Sequence, residues 1–176
     1  LEHSERRFRA LVQKASEVVL VSDADRRITY VTDSVQGLLG LPPEALIGEQ
    51  VETFLPAGQR QRALQRAQRN LQAPHGDTSD PSEWTITRAD GSTAFIEVQA
   101  HNLLADPDVS GIVTTVRDVT ARREMEARLR HQALHDPLTG LANRTLFEDR
   151  VAQALARHGR THRPVAVIYL DVDGFK

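Results

Sequence analysis

The sequence predicts an α+β chain: one antiparallel sheet of about five strands with short helices on one face, then a long helix and the start of a second, α/β unit. Three observations carry that prediction. Two β-rich runs, 18–21 and 28–31, flank the polar turn Ser22-Asp23-Ala24-Asp25. Short helical stretches fill the middle of the chain. Three further strand-like runs, separated by turn residues, follow before Asp118.

Taken in order, residues 4–14 read as a short amphipathic helix, capped by Ser4, with Phe8, Leu11 and Val12 at helical spacing. The two β-rich runs around the polar turn read as a hairpin. Ser34 stands where it would cap a helix over 35–39, and Gly40 where it would stop it. Pro42-Pro43-Glu44 suits a first helical turn, because proline lacks only an N–H that a helix start leaves unpaired; Gly48 ends that piece. Residues 59–71 form a longer helix. Leu64, Ala67 and Leu71 share one face, and Arg62, Arg66 and Arg69 lie on another, read as a solvated face with packed stems. Two prolines, a glycine and small polar residues make 72–81 a loop.

The strand 84–87 leads into Asp90-Gly91, the strongest short hairpin signal in the chain. Residues 93–100 return with Ile96, Val98 and Ala100 on one face and Glu97 and Gln99 on the other. Asp106-Pro107-Asp108 turns the chain again. Residues 111–116 then alternate with Ile112, Thr114 and Val116 on one face. From 120 to 135 the pattern is helical, with Met125 and Leu129 four apart. That seam is short and partly polar, so it is marginal as an isolated coiled coil. Asp136-Pro137 breaks it. Asn143 caps a helix over 144–158, with Leu146, Phe147, Val151, Ala154 and Leu155 as its apolar face, and 165–170 reads as a buried strand.

Composition narrows the function. The chain has 176 residues, 40% of them hydrophobic and 26% charged, an ordinary globular balance. A net charge of −2 disfavours a nucleic-acid binder, which needs surplus Lys and Arg to neutralise phosphates. Residues 1–118 are net acidic and 119–176 net basic, which points to a boundary near 118. Without cysteine there are no disulfides, thiolate zinc sites, catalytic cysteines or cysteine-linked flavin chemistry. No apolar run approaches the ~20 residues that cross a bilayer, and no secretory signal opens the sequence. The expectation is a cytoplasmic bacterial chain without membrane contact.

Two stretches resemble known families. The element order resembles a PAS sensor domain over 16–120, together with Asp23-Ala24-Asp25-Arg26-Arg27-Ile28-Thr29-Tyr30-Val31-Thr32, Leu39-Gly40-Leu41-Pro42-Pro43-Glu44-Ala45-Leu46-Ile47-Gly48, the Asp90-Gly91 hairpin and the closing Asp118-Val119-Thr120. The run His135-Asp136-Pro137-Leu138-Thr139-Gly140-Leu141-Ala142-Asn143-Arg144, a helix, and Tyr169-Leu170-Asp171-Val172-Asp173-Gly174-Phe175-Lys176 resemble the opening of a GGDEF (diguanylate cyclase) domain over 136–176. Residues 1–15 are then an N-terminal helix and 121–135 a signalling linker helix. The second family joins two GTP molecules into cyclic di-GMP. Its glycine-rich signature does not occur in these residues. The chain is therefore expected to be inactive as a cyclase and to belong to an intact parent that is one.

The resemblances imply sites. In a completed GGDEF domain, Asp171 and the backbone carbonyl of Val172 would hold Mg²⁺, and Gly174, Phe175 and Lys176 would meet the GTP phosphates, since hard oxygen donors suit Mg²⁺. A PAS pocket would be lined by Val19, Val21, Tyr30, Leu39, Leu46, Phe54, Leu64, Trp84, Ile96, Val98, Ile112 and Thr114. That largely aliphatic set suits a small apolar ligand, or none, better than a flavin. The nearby amides are Asn102 and an outward Gln99. Neither His75 nor His101 has a setting for haem. The pair His131 and His135, four apart, reads as an exposed helix face rather than a metal pair. Asp136 and Arg144 are expected to pair as a structural clasp. The signal would pass through Asp118, Val119, Thr120, Met125 and Leu129 between two copies of the chain. The alternatives are an active diguanylate cyclase in the intact parent, or a ligand-free PAS interaction module.

Overall fold

Five runs rich in β-branched residues pair into one antiparallel sheet with strand order β2-β1-β5-β4-β3. The strands are β1 (Val18–Ser22), β2 (Ile28–Val31), β3 (Ser82–Thr87), β4 (Thr93–Leu103) and β5 (Gly111–Asp118). The first strand thus pairs with the last, and all the intervening helices belong to the crossover from β2 to β3. The computed structural model describes residues 17–161, 164–168, 170 and 174; the helix expected over 4–14 lies outside them. The chain divides into two units, one up to Arg123 and one from Glu124 onward.

Short polar side chains set the turns of the first unit. Asp23 Oδ1 accepts from the backbone N–H of Asp25 at 2.9 Å and of Arg27 at 2.8 Å, and holds the β1–β2 turn with Arg26 at φ 64°. Between β3 and β4, Asp90 Oδ1 accepts the Ser92 N–H at 2.8 Å while Gly91 takes φ 83°, a conformation that favours glycine.

The crossover helices follow the predicted punctuation. Helix α1 (Val35–Leu39) ends at Gly40, φ 75°, whose N–H donates to Gln36 O. Ser34 does not cap it. Its own backbone is already helical, and its hydroxyl instead joins Thr32 Oγ1 at 2.7 Å and donates to Glu17 O at 3.0 Å. Two 3₁₀ turns, Pro43–Ala45 and Val51–Phe54, lead to α2 (Ala57–Gln72). The core lies between these helices and the sheet, and its most enclosed side chains include Ile28, Val35 and Leu46.

Helix α3 (Thr120–Leu134) continues from β5 after Val119. In the second unit, Asp136 Oδ1 accepts from the Leu138 and Thr139 N–H groups at 3.1 and 2.9 Å and from the Thr139 hydroxyl at 2.9 Å. The Thr139 hydrogen bonds, chiefly the backbone one, hold this carboxyl below its ordinary range. The expected clasp between Asp136 and Arg144 is therefore not formed: the turn claims Asp136, and Arg144 pairs along its own helix with Glu148 at 2.8 Å. Asn143 does cap α4 (Arg144–Thr161), its Oδ1 accepting the Leu146 N–H at 3.1 Å.

The strand expected over 165–170 is not seen in the described residues. Val165, Val167, Ile168 and Leu170 are exposed and unpaired into a sheet, since no described strand lies beside them to bury either face. Asp171, Val172, Phe175 and Lys176 lie outside the described residues, and Gly174 sits in a turn at φ 77°.

Candidate functional site

The register of the sheet sets up an internal surface. Across β1, β5 and β4, one row reads Val18, Val116, Val98; the next Leu20, Thr114, Ala100; the third Ser22, Ile112, Asn102. The first eight of these face a cavity of about 160 Å³, which the crossover helices and Trp84 and Ile86 of β3 also line. A cavity of this size is in the class that takes a benzene-sized guest.

Of the expected lining residues, Leu39, Leu46, Phe54, Trp84, Ile96, Val98, Ile112 and Thr114 meet around this cavity. Val19, Val21, Tyr30 and Leu64 do not. In β1 the even positions Val18, Leu20 and Ser22 are buried; the run is apolar on both faces, so alternation alone does not choose between them. Tyr30 is outward because Ile28 and Val31 are the buried residues of β2. On α2 the facing stripe is Ala63, Arg66, Ala67 and Asn70, spaced i, i+3, i+4, i+7, which leaves Leu64 beside it.

Sequence reasoning named Thr114 but missed apolar lining residues such as Val18, Leu20, Val35 and Val116, and the charged ones. Arg66, expected on a solvated face, reaches the cavity wall, and its Nη2 donates to Ser79 Oγ at 3.1 Å and to Asp80 O. Burial foremost, then the Arg69 and Arg62 charges, hold this guanidinium below its ordinary value, against an opposing pull from Asp80. Arg26 and Glu52 also reach the wall and pair at 3.0 Å. The signal available in the sequence was position: Arg66 falls between Ala63 and Ala67 on a stripe that needs small residues to approach a sheet.

Two other expectations fall beside the cavity. Asn102, only 6% exposed, donates from Nδ2 to Asn70 O at 3.2 Å and to Ala73 O at 2.7 Å, closing the C-terminus of α2. Gln99 donates to Ser79 O at 3.2 Å. Trp84 is buried, its Nε1 donating to Ser82 Oγ at 2.8 Å, with the Arg62 guanidinium 4.6 Å from a ring centroid. His131 and His135 stack on each other with ring centroids 3.9 Å apart. No group of three metal-ligating side chains occurs among the described residues.

The exit from the sheet is tied down closely. Val119 is buried and donates its N–H to Phe95 O at 2.9 Å, while Thr120 Oγ1 accepts the Phe95 N–H at 2.9 Å. Asp118 Oδ1 accepts the Thr120 N–H at 2.8 Å. Glu83 of β3 pairs with Arg122 at 3.5 Å and with Arg123 in the first turns of α3. Met125 and Leu129 are exposed on α3.

Residues 12–124, well over half of the chain, match the family described as "PAS fold". The chain belongs to that family. The PAS match is followed by a second, over residues 133–176, to "Diguanylate cyclase, GGDEF domain". Among curated relatives, the cyclic di-GMP phosphodiesterase PdeB of Shewanella oneidensis is 26% identical over 97% of this chain and 19% of its own length. The probable diguanylate cyclase DgcE of Escherichia coli is 41% identical over 38% of this chain and 6% of its own length. The chain thus spans about a fifth or less of these relatives. Among solved structures, the PAS domain of a Colwellia psychrerythraea protein superposes with a TM-score of 0.58 at 18% identity, covering 68% of this chain and 99% of that domain. This chain is a PAS domain followed by the opening of a GGDEF domain, and its relatives are cyclic di-GMP signalling proteins. Among the described residues no helix is long and apolar enough to cross a membrane.

Proposed function

We propose that residues 16–120 sense a small molecule in the internal cavity, that 121–135 relay its presence, and that 136–176 open the GGDEF output domain of a dimeric cyclic di-GMP signalling protein. One observation carries the reading. Strand β5 lines the cavity with Ile112, Thr114 and Val116 and passes through Asp118, Val119 and Thr120 straight into α3. A shift of β5 that accommodates a guest would move the root of a stiff helix, and Met125 and Leu129 offer the apolar positions through which two such helices would meet.

In the intact protein, the output would be the joining of two GTP molecules with Mg²⁺. Asp171 and the Val172 carbonyl would hold metal, and Gly174, Phe175 and Lys176 would meet phosphate. Each GGDEF domain would hold one GTP, so two copies must face each other. The present residues contain no Gly-Gly-Asp-Glu-Phe run, so this segment by itself would not turn over GTP.

The test is a one-residue insertion within 121–131 of the full-length protein, with cyclic di-GMP formation measured at equal protein. An extra residue rotates everything beyond it by roughly 100°, given 3.6 residues per turn. The expected result is altered output with a PAS cavity that still folds. Unchanged output and regulation would overturn the relay.

A further inference from the structure

The cavity is polarised from end to end. The row Val18, Val116 and Val98 is wholly aliphatic, whereas the next two rows bring in Thr114 and Ser22, and the β1–β2 turn that follows Ser22 adds Asp23 and Arg26. Ala100, which pairs with Thr114, also borders the polar cleft that holds Arg66, Ser79 and Asp80. Arg66 therefore stands between the apolar cavity and that cleft, and lines both.

Two polar side chains on this wall bear on what the cavity can hold. Ser22 is 6% exposed and faces the cavity, so its hydroxyl stands on the cavity wall. Both protein bonds of Arg66 leave from Nη2, one to a hydroxyl and one to a backbone carbonyl. Among the described residues no carboxylate lies within ion-pair distance of this guanidinium, although Arg26 on the same wall has Glu52. A half-buried guanidinium whose direct partners are a hydroxyl and a carbonyl, with Asp80 acting on it only from beyond ion-pair distance, gains from a ligand that brings a carboxylate into contact, since charge-assisted bonds to a carboxylate are the strong ones.

We propose that the PAS cavity selects a small monocarboxylate, with its carboxylate on Arg66 beside the Ser22 and Thr114 hydroxyls and its hydrocarbon part among Val18, Val98 and Val116. The proposal rests on the reading of this cavity as the sensory site and names its ligand class. The volume suits a short aliphatic or monocyclic acid, so hexanoate and benzoate are the probes.

Trp84 is the chain's one tryptophan and lines the cavity, so its fluorescence reports occupancy directly. The 176-residue chain is titrated with hexanoate and benzoate, and in parallel with hexan-1-ol and benzyl alcohol. The acids are expected to bind about tenfold or more tightly than the alcohols at neutral pH, in line with a hydrogen bond to a charged group. That preference should fall as the ligand protonates below about pH 4–5. Arg66→Gln should remove it while leaving alcohol binding unchanged. Should that variant fail to fold, the wild-type comparison of acid with alcohol across pH still decides, and Ser22→Ala gives a smaller loss for the acids. Equal binding of acids and alcohols overturns the carboxylate proposal and leaves a sensor for neutral molecules. If neither class changes Trp84 fluorescence nor raises the melting temperature, the small-molecule reading of the cavity falls as well.

Discussion

Arg88 Nη2 donates to Asp118 Oδ2 at 2.7 Å, and Arg88 Nε donates to Leu38 O at 2.9 Å. One side chain in the β3–β4 turn thus joins the end of α1 to the end of β5, where the chain leaves the sheet. Asp118 has a second task, since its other oxygen accepts the Thr120 N–H at the start of α3. Removing Arg88 and removing Asp118 should therefore differ. Arg88→Ala should lower stability by about 1–2 kcal/mol, mostly through the half-buried Leu38 carbonyl. The Arg88–Asp118 coupling in a double-mutant cycle should be only about 0.5 kcal/mol, because the pair is partly exposed. A denaturant titration of the two single variants and the double variant reads both quantities.

Acid should loosen the same exit. Burial raises the Asp118 pKa, but the Thr120 hydrogen bonds and Arg88 together outweigh it and hold the carboxyl below its ordinary range. With the folded-state pKa below the unfolded one, the unfolded chain binds more protons between the two. This contribution is thus complete above about pH 4 and lost as pH falls through the folded-state value. Asp118→Asn should flatten the acid side of the stability curve, measured as melting temperature against pH.

Gly111 is required by close approach rather than by backbone angle. A Cβ there would stand 2.6 Å from Val21 Cγ1 and 2.8 Å from Ser22 O of the neighbouring strand. Gly111→Ala should cost about 2 kcal/mol by overpacking, and it should disturb the cavity row that contains Ser22. Thermal melting and Trp84 fluorescence would register the two effects separately.

Asn102 should prove structural rather than ligand-reading. Asn102→Leu removes the side-chain donor of the Ala73 carbonyl and one of the two donors of the Asn70 carbonyl at the end of α2, at a cost of about 2 kcal/mol. Probe affinity, compared at temperatures where the variant stays folded, should be nearly unchanged.

Local chemistry made much of this protein legible in its sequence. The hairpin at Asp90-Gly91, the stop at Gly40, the cap at Asn143 and the alternation in β4 and β5 each depend on a few adjacent residues, and each stands where the sequence places it. What tertiary structure alone decided is direction. Strand β1 is apolar on both faces, so only its pairing with β2 and β5 could turn Leu20 and Ser22 inward and Val19 and Val21 away. An arginine on an amphipathic helix reads as solvated until a sheet and the Ser79–Asp80 loop close over it, and so Arg66 became part of the cavity. Asp136 went to Thr139 rather than Arg144 because a turn three residues away reaches a carboxylate at less entropic cost than a long side chain does. Sequence settles what a residue can do with its neighbours in the chain; only the packed fold settles which partners from elsewhere are within reach.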